Sequence, residues 1–292
     1  MIESLKKICK LEENVDMTLY NTYRLHAVAK CVVFPSTIDE LKEVINILKD
    51  NNSKYLVLGN GSNVILPDYY NGVIIKLDNF NKCEIHKDYV YVECGYMINK
   101  LAMELVNKGY SALEWASGIP GSIGGCVYNN AGAYNSSISD VLISVSVFDG
   151  NNVKEMNNSE LEFEYRDSIF KKNKNLIILS CKIAIKKSSK EELISLVTER
   201  TNKRIQSQDL SHPSCGSVFR NPESAPAGKL IDDLGLKGYS INGASVSKIH
   251  ANFIINENNA TQKDIVNLIN KIKKDVKDTY DIDLVLEQEI IE

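Results

Sequence analysis

The 292 residues are 43% hydrophobic and 25% charged, and 34 Lys and Arg against 38 Asp and Glu leave a formal net charge of −4. Such proportions describe an ordinary globular chain of about two domains, at ~100–200 residues each, and exclude one too polar to bury a core. No uncharged apolar run approaches the ~18–20 residues of a membrane-spanning helix, and a sequence pI near 5.7 lacks the basic footprint of nucleic-acid binding.

Met1-Ile2-Glu3-Ser4-Leu5-Lys6-Lys7 carries charge where a secretory signal would be apolar, so a cytoplasmic protein is expected. Residues 1–20 are expected to form a helical segment. Residues 28–34 are β-branched and apolar and read as a strand stopped by Pro35. Thr37-Ile38-Asp39-Glu40 has the form of a capping box. The helix it opens places Ile38, Leu41, Val44, Ile45 and Leu48 on one face, and Asn51-Asn52-Ser53 ends it. Apolar runs at 55–58 and 73–77 flank a glycine-rich loop, completing a β-α-β-loop-β unit. From about 83 to 185 strands dominate, with a helix near 98–106 and a second glycine-rich loop at 118–132. Helical periodicity returns at 191–204 and again from Thr261 through Ile265, Leu268, Ile269, Ile272 and Val276; residues 282–291 read as a closing strand. Lys186-Lys187-Ser188-Ser189-Lys190 marks a boundary near 188.

The seven cysteines are odd in number and spread out, with no C-x-x-C pair, which argues against a disulfide framework or a zinc site. Most sit beside apolar residues and read as small buried hydrophobes; Cys215 is set apart by its turn-forming neighbours. The four histidines show no metal-ligand spacing.

Gly59-Asn60-Gly61-Ser62-Asn63 follows a strand, where a dinucleotide fingerprint would begin. G-x-G-x-x-G wants glycine at 64 and a helix beyond, whereas Val64-Ile65-Leu66-Pro67 is extended. A loop of this composition suits an anion held by converging backbone N–H groups, and equally a plain turn. The second loop shifts the balance: Gly118-Ile119-Pro120-Gly121-Ser122-Ile123-Gly124-Gly125 has four glycines in eight residues, and Asn129-Asn130-Ala131-Gly132-Ala133 follows. So little side chain costs conformational entropy, a cost that makes sense where backbone must approach a large flat ligand. Gly228-Lys229 is no Walker loop, because Glu223 stands where glycine is required.

Three polar residues could carry chemistry. Arg166, in Glu164-Tyr165-Arg166-Asp167-Ser168, reads from the sequence alone as a solvated strand-end charge. Ser217 lies in Pro213-Ser214-Cys215-Gly216-Ser217-Val218-Phe219-Arg220-Asn221-Pro222, which lacks the G-x-S-x-G elbow of a nucleophilic serine. Glu289 alternates with apolar neighbours, as exposed-face strand glutamates do.

Gly59-Asn60-Gly61-Ser62-Asn63, the 118–125 loop, Asn130-Ala131-Gly132-Ala133-Tyr134, Tyr165-Arg166-Asp167-Ser168, the 216–222 segment and His250-Ala251-Asn252-Phe253 occur in that order. Together they resemble the UDP-N-acetylenolpyruvoylglucosamine reductase family of peptidoglycan synthesis, in its shorter form, from about residue 20 to 291. The resemblance implies an α+β protein. A two-lobed FAD-binding domain of the vanillyl-alcohol oxidase superfamily falls at 21–188, with lobes at about 21–82 and 83–188, and an α+β substrate-binding domain at 189–292. It further implies FAD as cofactor, NADPH as hydride donor and a nucleotide-sugar substrate, with no nucleic acid, membrane or obligate protein partner. The cofactor residues it implies are Gly59, Asn60, Gly61, Ser62, Asn63, Gly118, Ile119, Pro120, Gly121, Ser122, Gly124, Gly125, Asn130, Gly132 and Ala133. The catalytic residues it implies are Arg166, Ser217 and Glu289.

That chemistry suits these residue types. Hydride delivered to the vinyl carbon of an enolpyruvyl ether makes an enolate-like species; an arginine fork and a glutamate stabilise it, and a serine hydroxyl supplies the remaining proton. The chain departs from the family pattern at Leu25-His26-Ala27, where a glycine pair is usual, and at Ile291, where arginine is usual. It departs also at Asp209, where proline is common, and at Ser137, near a usual glutamate. These departures keep two other readings open: a flavin oxidase with another substrate, and a degenerate paralogue that binds flavin or nucleotide sugar without turnover.

Overall fold

Thr37 caps the first long helix as its sequence suggests. Its side chain accepts from the Glu40 N–H at 3.1 Å, while the Glu40 carboxylate reaches past the cap to the Ser36 N–H at 2.6 Å. The helix, Ile38–Asp50, buries Leu41, Val44, Ile45 and Leu48, but Ile38 stays exposed in its first turn. The computed structural model describes residues 1–292, which gather into two units. One comprises residues 1–13, 31–60 and 72–202; the other comprises residues 14–30, 61–71 and 203–292. Both mix helices with antiparallel sheet, so the α+β class holds.

In the first unit a five-stranded antiparallel sheet runs in the order Val153–Asn157, Leu142–Phe148, Ile177–Ala184, Tyr89–Glu93, Cys83–Ile85. Period-two alternation buries Val90 and Val92. The helix Ile98–Asn107 turns Ile98, Leu101, Ala102, Leu105 and Val106 inward. Cys31, Cys94, Cys126 and Cys181 are buried in this core, and all seven cysteines are free thiols. A smaller sheet includes the parallel pair Tyr55–Val57 and Tyr69–Ile75, with Tyr55 opposite Val73.

Residues 1–20 are not helical throughout. After the short helix Ile2–Lys6 the chain enters the strand Lys10–Asp16 and a 3-10 turn at Thr18–Tyr20. Five residues leave most of a helix's backbone groups unpaired, and the sheet ladder offers the next seven better partners.

In the second unit Thr261 and Asp264 form a reciprocal capping box, with bonds of 3.2 and 2.9 Å. The helix it opens, Gln262–Tyr280, buries Ile265, Leu268, Ile269, Ile272 and Val276 against a three-stranded meander. The closing segment is a strand only at Glu289–Ile290, which runs parallel to Val64–Ile65. Its pairing changes partner part-way: the Glu287 N–H donates to Val218, then those of Glu289 and Ile291 donate to Asn63 and Ile65. No helix is long and apolar enough to cross a membrane.

Candidate active site

The first unit brings the start of one glycine loop against the other. Asn60 Nδ2 donates to the Pro120 carbonyl at 2.7 Å, and a Cβ on Gly59 would stand 2.6 Å from Ser122 Oγ. Ser122 in turn caps a helix, Ile123–Tyr128, that sequence periodicity missed because Gly124 and Gly125 mask it. The available signal was the N-cap serine ahead of Ile123, Cys126 and Val127, all of which are buried. Gly124 permits close packing: its N–H donates to the Cys94 carbonyl at 2.8 Å, and a Cβ there would lie 3.0 Å from Cys94 Cβ.

A residue overlooked in the sequence stands behind this loop. Lys76 is 3% exposed, donates to the Gly59 carbonyl at 2.5 Å and pairs with Asp78 at 3.2 Å. Burial pulls its ammonium pKa down, although Asp78 opposes this. A lysine interrupting the apolar run 73–77 was the clue. Glycine-rich loops, the first of them backed by the buried Lys76, fit a flat, anionic dinucleotide such as FAD.

Arg166 sits on a tight turn with φ +57°, a left-handed conformation that non-glycine residues adopt at some cost. The turn is tied to residues 128–132 by several bonds. Ser168 Oγ donates to Tyr128 O at 2.6 Å, Asn130 Nδ2 donates to Glu164 O at 2.8 Å, and Lys171 Nζ bridges Asn129 Oδ1 at 2.5 Å and Arg166 O at 2.7 Å. The guanidinium donates to Gly132 O at 2.5 Å and Asn130 O at 3.4 Å. A Cβ on Gly132 would lie 2.4 Å from Ser136 O and 3.0 Å from Arg166 Nη1, so this glycine makes room for the arginine. Gly132–Ala133 pairs with Ser136–Ser137 across Tyr134 and Asn135, both at positive φ.

The second unit holds Ser217 and Glu289. Ser217 bridges Phe253, one residue beyond Gly216 at φ +71°. Glu289 is held from the other glycine loop: its N–H donates to Asn63 O at 2.9 Å, and Asn63 Nδ2 donates to Glu287 O at 3.0 Å. Gly61 permits a close approach here, since a Cβ would fall 2.0 Å from Tyr20 O. Between the two candidate residues in sequence and bonding lies Gln288, whose amide contacts the Cys215–Gly216–Ser217 backbone. Cys215 is a packed thiol, pushed up to about 11 by burial and bonded to Thr22, Gly61 and Val64.

The departures from the family pattern have local partners. Leu25 and Ala27 are buried, and His26 Nδ1 pairs with Thr18 Oγ1 at 3.1 Å. Ile291 is 7% exposed and its carbonyl accepts from Gln262, so its side chain belongs to the core. Ser137 caps a 3-10 turn. Asp209 accepts from Ser247 at 2.9 Å and Ser211 at 2.9 Å, and pairs with His212 at 2.9 Å. Burial pulls the Asp209 carboxyl upward, but these bonds outweigh it and the pKa falls below the ordinary value. A depressed carboxylate contributes stability that is present above its unfolded pKa of ~3.9 and lost as pH falls through the folded value. Asp209→Asn is therefore expected to be less stable than the parent at pH 7, with the gap narrowing below about pH 4. Urea unfolding from pH 7 to 3 checks this; a gap that stays constant contradicts it.

Comparison with known proteins bears on the whole chain. A family model described as UDP-N-acetylenolpyruvoylglucosamine reductase, C-terminal domain, matches residues 208–291, and an FAD binding domain model matches residues 29–153. The UDP-N-acetylenolpyruvoylglucosamine reductase of Bacillus subtilis (strain 168) is 36% identical over 296 residues, covering 100% of this chain and 98% of that protein. The chain belongs to the UDP-N-acetylenolpyruvoylglucosamine reductase family. It carries an FAD-binding domain ahead of the family's C-terminal domain. The crystal structure of the Thermus caldophilus UDP-N-acetylenolpyruvylglucosamine reductase superposes with a TM-score of 0.83 at 30% identity, over 97% of this chain and 100% of that one. A chitooligosaccharide oxidase shares the fold alone, with a TM-score of 0.53 at 16% identity, over 64% of this family member and 43% of the oxidase.

Proposed function

We propose that the protein reduces UDP-N-acetylglucosamine enolpyruvate to UDP-N-acetylmuramate in the cytoplasm, for peptidoglycan precursor synthesis, with no obligate protein partner. The observation that carries this reading is the full-length likeness to a named reductase; Arg166, Ser217 and Glu289 are the residues assigned to its chemistry. When bound, FAD would supply the hydride-transfer chemistry between NADPH and the vinyl carbon. Residues 21–188 are assigned to binding it, through the loop residues 59–63, 118–125 and 130–133. Residues 189–292 are assigned to the sugar nucleotide, and the segments 14–30 and 61–71 fold with residues 203–292 of that part.

Negative charge arriving on the substrate's carboxylate side needs donors already aimed at it. Arg166 is suited to this, because its turn and its guanidinium are tied to fixed backbone carbonyls and little reorganisation is left to occur. Glu289 adds a hydrogen bond from the strand held by Asn63. Ser217 Oγ donates a proton to the remaining carbon and regains one from solvent; an enolate-like carbon is basic enough to accept it from a hydroxyl. Purified protein given NADPH and the enolpyruvyl substrate is expected to consume one NADPH per product, with the product two mass units heavier. NADPH consumption without that mass change would refute the assignment.

A further inference from the structure

Gln288 lies between a buried phenol and the Ser217 turn, and is itself 4% exposed. Its Oε1 accepts from Tyr23 OH at 2.9 Å, and its Nε2 faces the carbonyls of Cys215, Gly216 and Ser217, each at 3.3 Å. Tyr23 has no exposed surface, and burial pushes its phenol well above the ordinary range, so it remains a donor throughout the working pH range. A donor on Oε1 fixes which end of the amide faces the carbonyls; flipping it would set four oxygens together and leave the phenol facing an NH2 group. Three carbonyls thus converge on one amide, at a turn whose centre, Gly216, is in the left-handed region. No side-chain hydrogen bond within the protein anchors the Ser217 hydroxyl, so the backbone alone aims it. Gln288 comes immediately before the short strand Glu289–Ile290, so its contact with the turn is next in sequence to Glu289.

We propose that Gln288, oriented by Tyr23, is a positioning residue that sets the Cys215–Gly216–Ser217 backbone and so the direction in which Ser217 Oγ offers its proton. This rests on the reading of Ser217 as the proton donor. Misplacement of a reacting group by about 1 Å costs up to about 100-fold in rate, and the loss falls only on the step that uses the serine.

The test uses the FAD-loaded enzyme, with flavin reduction by NADPH and reoxidation by the enolpyruvyl sugar nucleotide measured separately by stopped flow. Gln288→Met keeps the length of the side chain and removes both hydrogen-bonding ends. It is expected to leave flavin reduction at the parental rate and slow reoxidation about 10–100-fold. Combined with Ser217→Ala it is expected to add no further slowing, which a merely structural weakening would not reproduce. Tyr23→Phe, which deletes one hydroxyl, is expected to give a smaller loss on the same step and serves if Gln288→Met does not fold. Parental reoxidation in both variants, or an equal Gln288→Met loss with and without Ser217, overturns the proposal while leaving the serine assignment standing. Parental reoxidation in Ser217→Ala alone removes the serine assignment and this proposal with it.

Discussion

Replacing Ser217 by Ala is expected to slow flavin reoxidation by the enolpyruvyl substrate about 10²–10⁴-fold, the usual worth of a positioned proton donor, while reduction by NADPH continues at the parental rate. The two half-reactions separate because only the second makes a new C–H bond that needs a proton. The substitution removes one oxygen from a half-buried turn, so the fold should survive it: the Ser217 backbone keeps its bridge to Phe253 and its carbonyl keeps the Gln288 contact. Loss on both half-reactions would point to damaged flavin binding instead. Single-turnover kinetics with substrate deuterium labelling at the vinyl carbon checks the assignment, since the variant should accumulate exchange products if the intermediate waits for its proton.

Arg166→Lys is expected to cost about 10²–10³-fold in kcat with a much smaller change in KM, the size of a lost donor to developing charge. Lysine keeps the positive charge but not the planar fork. In the parent, two bonds of the fork, to Gly132 O and Asn130 O, hold the guanidinium plane, and a compact ammonium can hold only a point. Residues on both sides of the arginine are already committed, with Lys171 on its carbonyl and Asn130 on the Glu164 carbonyl, so the turn should keep its shape in the variant. Gly132→Ala should also lower activity, because the added Cβ would fall 2.4 Å from the Ser136 carbonyl and 3.0 Å from Arg166 Nη1, forcing apart the hairpin on which the guanidinium rests. Arg166→Lys with a large KM effect and unchanged kcat would mean that the arginine binds ground state and transition state alike.

Much of this was legible in the residues themselves. The helices at Ile38–Asp50 and Gln262–Tyr280 follow from strong 3.6-residue periodicity and capping residues, and Val28–Phe34 from its β-branched run. What could not be read depended on partners distant in sequence. Residues 10–16 form a strand because a sheet edge is there to receive them, and 282–291 is mostly irregular because its backbone bonds go to two different segments. Lys76 shows in the sequence only as a lysine interrupting an apolar run and Gln288 carries no local signature; both acquire meaning only once Gly59 and Ser217 are placed against them. The glycines pointed to tight backbone but not to its purpose, and Gly124 proves to be packed against Cys94.

The central claim is that this chain uses FAD to move a hydride from NADPH to an enolpyruvyl sugar nucleotide. An anaerobic absorbance titration addresses it directly. The purified protein should show an oxidised flavin spectrum, bleach on one equivalent of NADPH, and recover fully on one equivalent of UDP-N-acetylglucosamine enolpyruvate without oxygen. A flavin that bleaches but recovers only when air is admitted would contradict it.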